Sequence, residues 1–181
     1  MLNIGDILIS EPYLGDDNFE RSVVLLGSHN EDGSLGFVMN KKSNMLLSDV
    51  VEELGEFDAP LYVGGPVEQD TLHFIYQEQL SLKGTIQIME NLFWGGDFEQ
   101  LKSILREGKI EEKKIRFFLG YSGWSRGQLE KEMAEKVWII HRLSAAGLFE
   151  LDTEEMWRGI LKNMGGQYKV LSNYPIDPRL N

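Results

Sequence analysis
Residues 115–138 read IRFFLGYSGWSRGQLEKEMAEKVW, and this stretch decides the fold. Phe117, Phe118 and Leu119 form a short apolar, aromatic-rich run closed by Gly120, which suits a strand covered on both faces. Gly120, Gly123 and Gly127 then space a glycine-hinged turn that carries Trp124. Their pattern is not the dinucleotide fingerprint G-x-G-x-x-G. Ser125 followed by Gln128 is a capping-box spacing, so a short helix is expected with Ser125 as N-cap and Gln128 reaching back. Val137 to Ile140 is the returning strand.

Two sharper readings compete with a tight turn that packs Trp124 as a core lid. Gly123-Trp124-Ser125-Arg126-Gly127 fits G-x-S-x-G, the nucleophile elbow of hydrolases, between a strand and a helix. A triad would need a later acid and then a histidine. The only later histidine is His141, 16 positions on and inside an apolar strand. The other reading is an anion- or backbone-binding turn at a helix N-terminus.

Working outward, Ile7 to Ile9 is a first strand, ended by Glu11-Pro12. Val23 to Leu26 and Leu35 to Met39 flank the turn Asn30-Glu31-Asp32-Gly33, so residues 21–40 predict a β-hairpin. Asn40 to Asn44 reads as a polar loop, and Ser48 to Leu54 as a helix capped by Ser48. Leu61 to Val63 is a strand running into Gly64-Gly65-Pro66. Leu72 to Tyr76 alternates, with Leu72, Phe74 and Tyr76 on one face and His73 and Ile75 on the other. Thr85 to Met89 alternates as well. Asp97 caps a helix whose stripe is Phe98, Leu101, Ile104 and Leu105. Thr153 caps the last helix, with stripe Met156, Trp157, Ile160, Leu161 and Met164, and Gly165 stops it. The tail, residues 167–181 with Pro175 and Pro178, reads as irregular. Neighbouring strand pairs with helices between groups argue α+β, a largely antiparallel sheet or partial barrel flanked by about four helices.

The totals exclude several chemistries. With 181 residues a single domain is expected over 1–181, burying roughly 70% of its unfolded surface. There is no cysteine, which rules out disulfides, thiol catalysis and zinc–thiolate sites and fits a reducing cytoplasm. No apolar run nears the roughly 18 residues that span a bilayer, and no signal peptide is expected, because Asp6 and Glu11 interrupt the N-terminal segment. Net charge is −11, and residues 1–60 hold 12 acids against 3 bases. Direct nucleic-acid binding needs a basic footprint to displace counterions, and Lys113-Lys114-x-Arg116 is too short and balanced by Glu111 and Glu112. His29, His73 and His141 lack metal-pair spacing. Asp16, Asp17 and Glu20 could ligate a hard cation but lack the spacing of a calcium loop. No metal site and no cofactor is expected.

Four segments together resemble the YqgE/AlgH family of bacterial proteins. They are G-D-I-L-I-S-E-P from Gly5 with F-E-R-S-V-V-L-L from Phe19, G-F-V-M-N from Gly36, G-G-P-V from Gly64, and G-Y-S-G-W-S-R-G-Q-L-E-K-E from Gly120. The similarity covers nearly the full chain, and the tail N-Y-P-x-D-P-x-L-N is similar to that of Bacteroidetes members. The resemblance implies one compact α+β domain without an established enzymatic activity, and some members are described as transcriptional regulators linked to alginate control. It implies no catalytic set. It also implies a Leu-His pair at the end of the strand after G-G-P-V, where this chain has Ile75-Tyr76.

The reading that follows is a cytoplasmic binding or regulatory module with a protein or small-molecule partner. Its expected surface joins Arg21, Asn40, Gly64, Gly65, Pro66, Tyr121, Gly123, Trp124 and Gln128, where glycines, an aromatic and uncharged polar groups gather at strand ends. The alternatives are a serine hydrolase using Ser125 and a divalent-cation enzyme using Asp16, Asp17 and Glu20.

Overall fold
Residues 115–125 form one uninterrupted strand in the computed structural model, which describes residues 2–175. In chain order the strands are β1 (Ile7–Ser10), β2 (Val23–Asn30), β3 (Gly33–Val38), β4 (Lys42–Leu46), β5 (Pro60–Val63), β6 (Val67–Tyr76), β7 (Ile86–Met89), β8 (Leu92–Trp94), β9 (Ile115–Ser125) and β10 (Trp138–His141). The helices are α1 (Phe98–Arg106), α2 (Gln128–Ala134), α3 (Ala145–Glu150), α4 (Met156–Met164) and α5 (Gly166–Leu171). The strands join in one ten-stranded sheet whose main path runs β10-β1-β2-β3-β9-β6-β8-β7, with β5 branching off β9 and β4 paired to β5. The sheet does not close into a barrel. All pairings are antiparallel except β5 with β9, where Leu61 to Val63 run beside Phe117 to Leu119.

β9 is the hub. Its first part pairs with β5 and β6, and its last part, Ser122 to Ser125, pairs with β3. The alternation of β9 therefore feeds two cores. Phe117 packs with Phe74, Tyr76, Leu101 and Leu105 beneath α1. Phe118 points the other way, among Phe37, Ile75, Trp157 and Ile160 beneath α3 and α4. The same logic splits the hairpin: Val23 and Leu25 join the second of these cores, while Val24 and Leu26 face α2 with Trp124, Leu129 and Trp138. Each fully buried Leu, Ile or Phe here is worth about 1.5–3 kcal/mol of transfer free energy. Arg116, read in the sequence as part of a basic run, is 8% exposed. Its guanidinium donates to the Met39 carbonyl at 2.9 Å and lies between the Tyr62 and Phe149 rings.

Several local expectations are corrected. Ser48 to Leu54 is not a helix; one tight turn, Leu47–Asp49, stands there. The Ser48 hydroxyl and amide bind the Asp58 carboxylate at 2.7 and 3.1 Å, and Asp49 accepts from the Leu46 amide. Such side-chain bonds compete with a helical ladder. The polar stretch after Asn40 holds β4 instead of a loop, because β5 offers it a pairing edge. Residues of the tail form α5, since Gly165 at φ +72 turns the chain without ending regular structure, and Tyr168 and Leu171 return to the core. That makes five helices among the described residues, in keeping with the about four expected. Pro178 lies outside the described residues. β6 begins at Val67, not Leu72, so Leu72 and His73 sit inside it, and the strand ends at Ile75-Tyr76.

Candidate functional site
The two glycine motifs meet each other. The Gly64 amide donates to the Leu119 carbonyl at 2.8 Å, and the Gly64 carbonyl accepts from the Val38 amide at 2.9 Å and the Ser122 hydroxyl at 3.0 Å. Gly64 thus closes the point where β3 and β5 both reach β9. A β-carbon on Gly64 would overlap the Gly120 carbonyl oxygen, and Gly120 itself has φ +65. Only glycine allows this approach at both positions. The three-glycine bend expected from the sequence is instead a kink inside β9, and the chain turns later, at Arg126-Gly127.

Trp124 is a correction to the expected surface. It is 5% exposed, stacked near Phe19 and edge-on to Trp138. Its indole N–H donates to Glu132 Oε2 at 2.8 Å, and the Trp138 indole donates to the same oxygen at 2.7 Å. Gln128 donates to the other oxygen of Glu132 at 2.9 Å. Trp124 and Gln128 hold α2 on the sheet and present no free aromatic face. Ser125 is the last residue of β9 and not an N-cap; Gly127, at φ +73, precedes α2. Gln128 does reach back, accepting from the Ser125 amide at 3.0 Å and from its hydroxyl at 3.2 Å. Among the described residues no histidine hydrogen-bonds Ser125, so a general base for it is not in place.

The remaining residues separate into two clefts. Asn40, Gly65 and Pro66 line one of about 540 Å³, with Lys41, Asp17 and Thr153. Tyr121, Gly123 and the edge of Trp124 line another of about 450 Å³, with Leu35 and Val67. Arg21, Gly64 and Gln128 line neither. Asn40 braces the first cleft: its side chain accepts from the Val23 amide and donates to the Arg21 carbonyl, both at 2.9 Å. Arg21, at φ +48, spreads its guanidinium over Trp157 and donates to the Tyr174 carbonyl at 2.6 Å. It ties the C-terminal segment down at Tyr174.

The floor of the first cleft is polar and held in place. Lys41 Nζ donates to the Asp17 and Asn18 carbonyls at 2.9 and 2.7 Å. Burial pushes its pKa below the ordinary amine value, against the opposing pull of Glu20, Asp16 and Asp17. Thr153 is not the helix cap that the sequence suggested. The N-cap of α4 is Glu155, which makes no side-chain cap bond, and Asp152 instead braces the turn before it, accepting the Glu154 and Glu155 amides at 2.8 and 3.3 Å. Neither Lys41 nor Thr153 stood out in the sequence, because a lysine in a polar loop and a threonine before a helix have commoner uses. Asp16, Asp17 and Glu20 share a small surface cleft with Tyr13, but among the described residues no three acids or histidines converge to hold a metal. His73, half-buried in β6, bonds Thr71 at 3.0 Å and stands edge-on to Tyr121.

Comparison with known proteins places this geometry in context. The family described as AlgH-like matches residues 7–169. A UPF0301 protein of Cytophaga hutchinsonii is 52% identical over 182 residues, covering 100% of both chains. Another, from Bacteroides thetaiotaomicron, is 40% identical, covering 98% of this chain and 90% of its own. Among solved structures, the AlgH protein from Pseudomonas aeruginosa superimposes with a TM-score of 0.73 at 30% identity, over 94% of this chain and 93% of that one. A protein from Corynebacterium diphtheriae gives a TM-score of 0.80 at 18% identity, over 96% and 93%, and so shares the fold.

Proposed function
The chain belongs to the AlgH-like family, whose members are uncharacterised, and from that membership we propose that it works as a cytoplasmic binding and regulatory module. Its ligand cleft is the one lined by Asn40, Lys41, Gly65, Pro66 and Thr153. One observation carries this reading: the cleft of about 540 Å³ combines fixed backbone at a glycine corner with a few convergent polar groups. Ligand sites commonly fall in this size range and have this make-up. Among the described residues no helix is long and apolar enough to cross a membrane.

If the module acts on transcription, it acts through a protein partner. A net charge of −11 opposes a polyanion. The test of the cleft is an amide NMR titration with a mixture of small polar metabolites. Saturable shifts confined to residues around Asn40, Gly65 and Thr153 support the reading. Absence of any shift there ends it. The test of the regulatory part is a mobility shift with bare DNA, and a salt-dependent nanomolar complex would overturn the indirect route.

A further inference from the structure
The first cleft carries charges of both signs that are not in direct contact, although Lys41 feels the field of Glu20, Asp16 and Asp17. Lys41 and Lys42 line it with Asp17 and Glu154. None of the four has an ion-pair partner within 4.0 Å among the described residues. Lys41 is pinned by two backbone carbonyls, neither of them a charged group, and its third ammonium proton is left over. Lys42, Asp17 and Glu154 stand at the exposed rim.

Thr153 adds a directed group. It is 7% exposed, and its hydroxyl makes no hydrogen bond among the described residues. It is not one of the side-chain atoms sealed from solvent without a partner, which among the described residues are Arg21 Nε and Ser22 Oγ. The small exposed part of Thr153 therefore includes the hydroxyl, and the space it meets is the cleft. The N-cap of α4 is Glu155, two residues on, and no side-chain cap bond is made there, so the Thr153 hydroxyl has no capping duty. The hydroxyl faces the solvent of the cleft, where a ligand acceptor can accept its hydrogen bond in place of water.

A simple anion fits poorly here, because Asp17 and Glu154 repel it along with the charge of the whole chain. A simple cation meets the two lysines. We infer that the cleft takes a small zwitterion, a free amino acid or a short peptide with both termini free. Its carboxylate meets Lys41 and the Thr153 hydroxyl, and its ammonium meets Asp17 and Glu154. This rests on the proposed ligand cleft and names the class of ligand it holds.

The experiment is an amide NMR titration of the full chain with alanine, with Ala-Ala, and with Ala-Ala capped either by N-acetylation or as the C-terminal amide. Saturable binding of alanine or Ala-Ala at the cleft is expected, and which of the two binds tells amino acid from peptide. Either cap on the ligand that binds should weaken it by about tenfold or more, the loss of roughly one charge-assisted bond. Thr153→Val should weaken binding about tenfold without unfolding the protein, and Asp17→Asn should lower affinity for the uncapped ligand while leaving the N-acetyl form unaffected. Capped forms binding as well as uncapped ones would overturn the zwitterion while the cleft reading stands. No cleft shift with any of the four would overturn the zwitterion too, and the cleft itself then falls or stands by the metabolite mixture.

Discussion
The Ser122 hydroxyl donates to the Gly64 carbonyl at 3.0 Å, 58 positions earlier in the chain, and Ser122 has no solvent exposure. This bond fastens the glycine–glycine–proline corner to the hub strand. Ser122→Ala should cost about 1 kcal/mol, the lower part of the range for a buried bond, because the Gly64 carbonyl keeps the Val38 amide. Gly64→Ala should cost about 3 kcal/mol, since the new methyl must displace the Gly120 carbonyl. Urea denaturation of the two variants reads both. Equal, small losses would mean that the crossing is looser than described.

Glu132 accepts both indole protons, from Trp124 and Trp138, on one oxygen. Glu132→Ala leaves two largely buried donors without a partner and should destabilise by about 2–3 kcal/mol. Tryptophan emission should shift to the red as water reaches the cluster. Retention of the wild-type melting temperature and emission maximum would show that the carboxylate is dispensable.

Burial lowers the pKa of His73 from its ordinary value, with Glu68 opposing, and burial lowers that of His141 as well. In each case the unfolded chain takes up a proton at higher pH than the folded one. Stability from this source is full above the unfolded value, about 6.5, and is lost as pH falls through the lower folded value. Melting temperature should fall between pH 7 and pH 5, and His73→Gln should flatten that slope. An unchanged slope would assign the pH dependence to other groups.

Ser125 donates its hydroxyl to Gln128 and has no histidine partner among the described residues. A fluorophosphonate probe should leave the purified protein unlabelled. A stoichiometric adduct on Ser125 would revive the hydrolase reading.

Much of the fold is legible because periodicity reports burial directly. The alternation of Leu72, Phe74 and Tyr76 against His73 and Ile75 is found between the two cores. Asp97 caps α1 through the Gln100 amide, as its spacing indicated. The misreadings came where one local signal competed with another. Ser48 and Thr153 both carry cap chemistry, yet Ser48 is bonded to Asp58 and the helix after Thr153 starts at Glu155 without a side-chain cap. Nothing in the order of residues ranks one capping oxygen above another.

The expected surface was legible in part. The corner at Gly65 and Pro66 does border a cleft with Asn40, but Trp124 turned inward and Tyr121 lies at a different cleft. An aromatic in a glycine-rich turn and one at the end of a long strand look alike in sequence. What separates them is whether β3 is present to extend the pairing to Ser125.

The chain by itself determined most of the strands, the helices α1, α2 and α4, the two-faced burial of Phe117 and Phe118, and the family, because these depend on side-chain period and on contiguous motifs. Tertiary structure alone decided that Gly64 and Gly120 exist for each other, that Arg116 points inward, and that Lys41 and Thr153 share a cleft. Those facts depend on pairing between segments far apart in the chain, and no local pattern of residues encodes the distance between them.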